Sequence, residues 1–344
     1  MPIKQTNERV NINDRRIING TDADVIQLYP MKHKFAWDAY LVGNANHWLP
    51  TEISMQIDIE QWKSTTVLSD DERRAFETVL GFFTTADSMA ANNIVLAAYR
   101  HITSPECRMY LLRQAYEEAI HTHSYQYIVE SLALDEGKIF NMYREVESIY
   151  NKASFILTFN EGIFNPEFKT GTFENDQKFL ENIVVFSLIM EGIFFYSAFA
   201  VMFGFQRQKK MVGSAEQIQY IMRDESQHLN FGINLINTIK VEQPELWTPE
   251  FQQHVIDLVK EATVLEYTFA QTVFPKGIFG MNAEGFKQYI EFVADRRLAS
   301  IGLPTQFNVQ NPFPWMSEAV DLNKEKNFFE TRVTEYQTGG TLDW

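Results

Sequence analysis

The 344-residue chain has a single cysteine, Cys107. A disulfide framework or a thiolate metal site needs several cysteines, so the sequence predicts neither. Basic residues are also few, because 30 lysines and arginines stand against 45 acidic residues, a formal charge of −15. Nucleic acids and anionic membrane surfaces attract clustered positive charge, and we therefore expect neither as a partner. The N-terminal stretch has no apolar signal core, which favours a cytoplasmic protein.

One hydrophobic run, residues 183–205, is long enough to span a bilayer. Glu191 lies near the middle of this run, where a charge would be costly in lipid. A helix that is apolar on all sides can equally form the centre of a large soluble bundle. Because Glu191 has candidate partners elsewhere in the chain, we expect a buried helix and no membrane span.

The apolar pattern is helical almost throughout, and convincing strand alternation is lacking. Four long helices, with a long connection between the second and the third, predict an all-α fold of the ferritin-like helical-bundle type. The predicted helices are Ser69 to about His101, Ser104 to about Leu134, about 177–206, Ser214 to about Ile239, and two later ones that begin at Thr248 and Asn282.

The chain divides into three predicted segments. Residues 1–30 form an N-terminal arm and residues 31–303 form the helical domain. Residues 304–344 are polar with scattered aromatics, contain a Gly-Gly pair and lack a periodic apolar face. Such a composition is typical of a flexible tail.

The motif E-x-x-H occurs twice, in the second and the fourth long helices. Each copy follows a helix that has a carboxylate inside an apolar run. Asp87 lies 31 residues before Glu118 of the first motif, and Glu191 lies 34 residues before Glu225 of the second. One acid on each of two helices, with E-x-x-H on each of the other two, is the pattern of dinuclear carboxylate sites in bundle cores. Glu117 and His123 point away from this face, so we expect them to support the ligands or to meet solvent. The predicted metal ligands are Asp87, Glu118, His121, Glu191, Glu225 and His228.

The residue types explain how this site could be buried. Four carboxylates can neutralise two divalent cations, which makes the cluster tolerable in a dry core. Oxygen-rich coordination with one imidazole for each ion suits iron or manganese better than structural zinc. The spacing does not choose between those two metals.

Tyr125 lies one turn after His121 on the same helix face. A phenol in that position could lose an electron and a proton to an oxidised metal pair. Phe195 and Phe199 follow Glu191 by one and two helical turns, and Ile221 precedes Glu225 by one turn. These three could wall a radical pocket, although the same positions would also suit an ordinary core.

These motifs together resemble the small, radical-generating subunit of class I ribonucleotide reductase. The resemblance runs from NHWLPTEI near the start, through QAYEEAIHTHSY, IMEGIFFYSAF and RDESQHLNFGINLIN, to NPFPWMSEAVDLNKEKNFFETRV. It implies two metal ions at the six predicted ligands, activation by molecular oxygen and a stable radical on Tyr125. It also implies a long-range path for electrons and protons. Trp48 and Asp224 would be its inner members, and Tyr336 in the tail would be its end.

The resemblance further implies two partners. The tail would dock on a large catalytic subunit, which reduces ribonucleotides to deoxyribonucleotides with the oxidising equivalent that Tyr336 delivers. The small subunit itself would form a homodimer.

Two departures from the family pattern bear on the metal. The motif sequences are most similar to those of the chlamydial-type subgroup. That subgroup has phenylalanine at the position of Tyr125, glutamate at that of Asp87, and a manganese–iron pair. Tyr125 and Asp87 restore the tyrosyl-radical pattern, so we favour Fe/Fe, with Mn/Fe and Mn/Mn as alternatives. Gln114 stands where well-known members have tryptophan.

Two other functions fit parts of the pattern. Another ferritin-like di-metal oxidase, such as a ligand-binding oxidase, a desaturase or a hydroxylase, would need a substrate channel. The phenyl-rich run around Phe194 instead favours a closed pocket, and such oxidases have no use for Tyr336. Iron-storage subunits are much shorter than this chain.

Overall fold

The structure is a computed structural model that describes residues 9–21 and 26–316. Within these ranges the only strand-like features are two isolated bridges, Ile18 with Ile102 and Ile278 with Met281, which confirms the all-α prediction. Apart from single-turn segments, the α-helices are α1 Lys34–Ala45, α2 Gln56–Lys63, α3 Asp70–Asn93, α4 Pro105–Ser131, α5 Glu136–Glu145, α6 Glu147–Thr158, α7 Phe173–Ile183, α8 Phe195–Arg207, α9 Val212–Glu242, α10 Pro249–Val273 and α11 Ala283–Ser300.

Two segments are wound as π-helices. The first, Ile94–Ala98, extends α3, and the second, Val184–Phe194, joins α7 to α8. Together, α7, the second π segment and α8 form one continuous helix, Phe173–Arg207, and 94% of its most apolar stretch is buried. The hydrophobic run is therefore the central helix of a bundle, as predicted from Glu191.

Local sequence signals set the starts of the site-bearing helices. Ser69 and Glu72 form a capping box at α3, since the Ser69 hydroxyl accepts from the Glu72 amide and the Glu72 carboxylate accepts from the Ser69 amide. The buried Asp58 accepts from the amides of Gly213 and Ser214 at 2.8 and 2.7 Å. Negative charge at a helix start is stabilising, so Asp58 fixes the beginning of α9.

Four helices were not predicted: α1, α2, α5 and α6. The predicted arm and tail are both partly packed on the bundle, since Ile17, Phe313 and Met316 are buried. Asp295 accepts from the amides of residues 306–308 and holds the start of the predicted tail against α11. Tyr336 lies outside the described residues, and the division into arm, domain and tail stays a prediction.

Candidate metal centre

All six predicted ligands meet in the middle of the bundle, and all are buried. They form two groups of four, within which the potential ligand atoms lie no more than 4.8 Å apart. The two groups share Glu118 and Glu225, so these two carboxylates would be ligands common to both ions. The groups are Asp87, Glu118, His121 and Glu225 on one side, and Glu118, Glu191, Glu225 and His228 on the other.

The His121 imidazole directs one nitrogen into the cluster and the other away from it. Its Nδ1 is 3.1 Å from Glu225 Oε1, without hydrogen-bond geometry, whereas Nε2 is 3.3 Å from Asp224 Oδ2. The Trp48 indole donates to the same Asp224 oxygen at 2.8 Å, and Arg223 pairs with the other oxygen at 3.2 Å. Asp224 thus orients the imidazole and leaves Nδ1 free for a metal.

His228 has the same arrangement on the second half of the cluster. Its Nδ1 is 3.3 Å from Glu225 Oε2, and its Nε2 is 2.8 Å from Glu117 Oε2. Arg113 donates to the other Glu117 oxygen at 2.9 Å. Glu117 is therefore the support that sequence analysis expected on the outer side, while His123 faces solvent.

Glu191 lies in the second π segment, where the wider winding departs from the register of an ordinary helix. The side-chain amide of Gln114, which stands where well-known family members have tryptophan, donates to Glu191 Oε1 at 2.9 Å. Helix α9 approaches this segment closely, because a Cβ at Gly232 would lie 2.2 Å from that of Ser187. A larger residue there would push α9 and its ligands away from Glu191.

The cluster carries more negative charge than its own residues neutralise. Burial, followed by repulsion from Glu118, holds the pKa of Asp87 well above its ordinary value. Burial and the Glu225 charge do the same to the pKa of Glu191. Unsatisfied buried groups of this kind are costly unless a cation takes the place of the missing partners. Several buried atoms of the cluster have no hydrogen-bond partner among the described residues. They are both oxygens of Asp87, both oxygens of Glu118, Oε2 of Glu191, Oε1 of Glu225 and Nδ1 of His121.

Tyr125 is fully buried beside Asp87, and its hydroxyl makes no hydrogen bond of normal geometry with any described residue. Burial, and then the Asp87 charge, raises the pKa of the phenol well above its usual value, so it stays protonated. The Phe83 ring stacks on Tyr125 with centroids 5.4 Å apart and planes 7° apart. Phe83 in turn contacts Phe195 at 6.0 Å and Phe199 at 5.5 Å.

Sequence analysis missed Phe83, although its position one turn before Asp87 could have shown it. Phe195 and Phe199 border the Tyr125 pocket through Phe83, and Ile221 is fully buried in the same core. Their part in protecting a radical stays a prediction.

A ferritin-like bundle with two carboxylate–histidine half-sites defines the class of di-metal carboxylate proteins. Residues 25–312 match the sequence profile of the family described as ribonucleotide reductase, small chain. The chain belongs to this family, and it is a small subunit of a class I ribonucleoside-diphosphate reductase.

Individual relatives agree with this assignment. The ribonucleoside-diphosphate reductase subunit beta of Chlamydia pneumoniae is 53% identical over 98% of this chain and 97% of its own length. The small subunit of Dictyostelium discoideum is 30% identical over 97% of this chain and 93% of its own. The ribonucleotide reductase R2 subunit from Clostridium botulinum superposes with a TM-score of 0.80 at 30% identity, covering 89% and 94% of the two chains.

Proposed function

We propose that this small subunit holds an Fe/Fe pair activated by molecular oxygen and stores the resulting oxidising equivalent as a radical on Tyr125. The iron pair, when bound, would supply the one-electron oxidant. The observation that carries the proposal is the placement of the Tyr125 phenol, buried beside Asp87 and capped by the parallel Phe83 ring. In this proposal the surrounding phenyl groups would exclude water and reductants from the radical on Tyr125.

The path towards the large subunit begins, in our proposal, at the hydrogen-bonded row Trp48–Asp224–His121. Asp224 Oδ2 is shared by the indole N–H at 2.8 Å and by His121 Nε2 at 3.3 Å. This carboxylate therefore connects a buried, oxidisable indole to an imidazole of the cluster. Tyr336 would complete the path from the tail, which we propose docks on the large subunit.

We also propose a cytoplasmic homodimer. Helix α1 packs along α4, and both expose apolar side chains: Leu41 and Val42 are 49% and 47% exposed, and Leu112 and Tyr116 are 55% and 45% exposed. Leu112 and Tyr116 are one turn apart on one face of α4. Large apolar side chains exposed on two packed helices favour an association interface at this face.

The storage of a radical is tested by electron paramagnetic resonance after ferrous iron and oxygen are added to metal-free protein. We expect a lasting tyrosyl signal in the wild type and its loss in Tyr125→Phe, with equal iron content in the two proteins. If fully iron-loaded wild type gives no tyrosyl signal, the oxidant stays on the metals and Tyr125 only packs. That outcome would favour a manganese-containing pair.

The variant Trp48→Phe distinguishes storage of the radical on Tyr125 from its transfer to the large subunit. The phenyl ring cannot donate to Asp224, so we expect a normal tyrosyl signal together with a large loss of turnover when the large subunit is added. Trp37→Phe, a change at a tryptophan outside the row, is the control. Undiminished turnover of Trp48→Phe would remove the indole from the path.

A further inference from the structure

An arginine on α11 reaches the π segment that contains Glu191. Arg297 Nε donates at 2.7 Å to the carbonyl oxygen of Gly192, the residue directly after Glu191. A π winding is rare in proteins, and in this segment it sets the direction of the Glu191 side chain. A hydrogen bond to the next carbonyl therefore bears on the geometry of a predicted metal ligand.

The absence of a side chain at Gly192 makes this approach possible. A Cβ at position 192 would lie 3.1 Å from Arg297 Nε and 3.0 Å from Leu229 Cδ1. An alanine there would displace the guanidinium or the leucine. Leu229 directly follows His228 on α9. The backbone after Glu191 is thus held close to α11 and to the helix of the second motif.

A second contact connects Arg297 to that motif. The guanidinium lies over the Tyr196 ring, 4.5 Å from its centroid, in a cation–π geometry. The Tyr196 hydroxyl is 2.8 Å from Ser226 Oγ, and Ser226 directly follows Glu225. Because the Ser226 hydroxyl donates its own proton to the Met222 carbonyl at 2.6 Å, Tyr196 is the donor in this pair. Arg297 therefore joins the π segment and, through Tyr196, the Glu225 motif on α9.

We infer that Arg297 is a positioning residue of the metal centre, which holds the π segment so that Glu191 faces the ion that it would share with His228. The inference rests on the two-metal site of the proposed function, but not on the Fe/Fe pair or on the Tyr125 radical. Glu191 belongs to only one of the two ligand groups. Loss of the Arg297 hydrogen bond should therefore weaken the binding of one ion much more than that of the other.

Titration of the metal-free protein with manganese(II), followed by electron paramagnetic resonance, tests this role. Two ions that share carboxylates are magnetically coupled, whereas a single bound ion shows the resolved hyperfine pattern of isolated manganese. Arg297→Met keeps the side-chain length but cannot donate. We expect it to bind the second ion about 10- to 100-fold more weakly, the usual effect of losing an outer contact of a metal ligand. At concentrations that give the coupled spectrum in the wild type, this variant should show the isolated pattern.

Two substitutions serve as matched comparisons. Arg296→Met changes the exposed neighbouring arginine on α11 and should bind both ions as the wild type does. Arg297→Lys retains a donor that can reach the Gly192 carbonyl and should recover part of the coupled spectrum. If lysine recovers nothing, donation to this carbonyl does not position Glu191, and the inference is overturned.

The remaining outcomes separate positioning from a general effect on the fold. Helical circular dichroism of Arg297→Met should equal that of the wild type, and Arg297→Gln takes its place, with the same expected spectra, if the methionine variant does not fold. Two ions bound as tightly as in the wild type would overturn the inference, and so would equal weakening of both. If the wild type itself never gives a coupled pair, the two-metal site of the proposed function fails first.

Discussion

Lys152 and Glu266 form a buried ion pair in the same apolar core that contains the metal-site cluster. Lys152 Nζ is 2.5 Å from Glu266 Oε1, and the Ser197 hydroxyl donates to the other oxygen at 2.5 Å. The ammonium also lies 3.4 Å from the centre of the Phe82 ring and 4.1 Å from that of Phe269. This pair supplies its own counter-charge from within the chain.

The cluster has no such compensation among the described residues. Its four carboxylates are paired only with two imidazoles, and the arginines nearby neutralise Glu117 and Asp224, which lie outside it. The comparison shows how a structural charge differs from a site that binds a cation. A buried charge whose counter-charge comes from the chain needs no further partner, whereas buried carboxylates without one predict an external cation.

The largest expected effect follows from removal of a shared carboxylate. Glu118 belongs to both halves of the cluster, so Glu118→Ala should abolish binding of both metal ions. Metal analysis of iron-loaded protein measures this loss. Glu216→Ala, a change at an exposed glutamate on α9, should bind as much iron as the wild type. Full iron occupancy in Glu118→Ala would show that the cluster is not the metal site.

Breaking the ion pair should affect stability and leave the metal in place. Lys152→Met leaves Glu266 buried without a counter-charge, which we expect to lower the free energy of unfolding by about 3–5 kcal/mol. Lys152→Met combined with Glu266→Leu should lose much less, because an apolar pair can replace a buried ion pair. Urea unfolding of the metal-free proteins measures both values. A double variant no more stable than the single one would contradict this account of the pair.

The smallest effect is a pH dependence. Burial, only partly offset by Glu266, lowers the pKa of Lys152 to about 8, from 10.5 in an ordinary lysine. Between these pH values the unfolded chain binds a proton that the folded chain does not, so stability rises with pH. Relative to the double variant, the wild type should become more stable from pH 8 to 10 and show little change from Lys152 below pH 8. Parallel urea curves across that range, without such a rise, would contradict the lowered pKa.

The sequence predicted the cluster because its spacing is governed by a regular helix. Glu118 and His121, three residues apart, must share a face, and the second motif repeats that geometry. Position along the chain could not reveal the partner of Lys152, since Glu266 is 114 residues away. The π winding around Glu191 was equally hidden, because it changes hydrogen-bond register without changing composition.

The long helices were predicted for similar reasons, and the short ones were not. Apolar periodicity accumulates over α3, α4 and α9, whereas α2 has only eight residues and a mixed pattern. The one-turn spacing from a predicted ligand that selected Phe195 could also have selected Phe83, which lies one turn before Asp87. The resemblance to the small subunit supplied Trp48, and the structure then placed its indole on Asp224.

The claim that two cations compensate the buried carboxylates is tested most directly by anomalous X-ray diffraction from iron-loaded crystals. We predict two iron peaks, one among Asp87, Glu118 and His121 and the other beside Glu191 and His228, with Glu118 and Glu225 between them. Ordered cluster side chains without either peak would contradict the claim, because the carboxylates would then be held by protons alone.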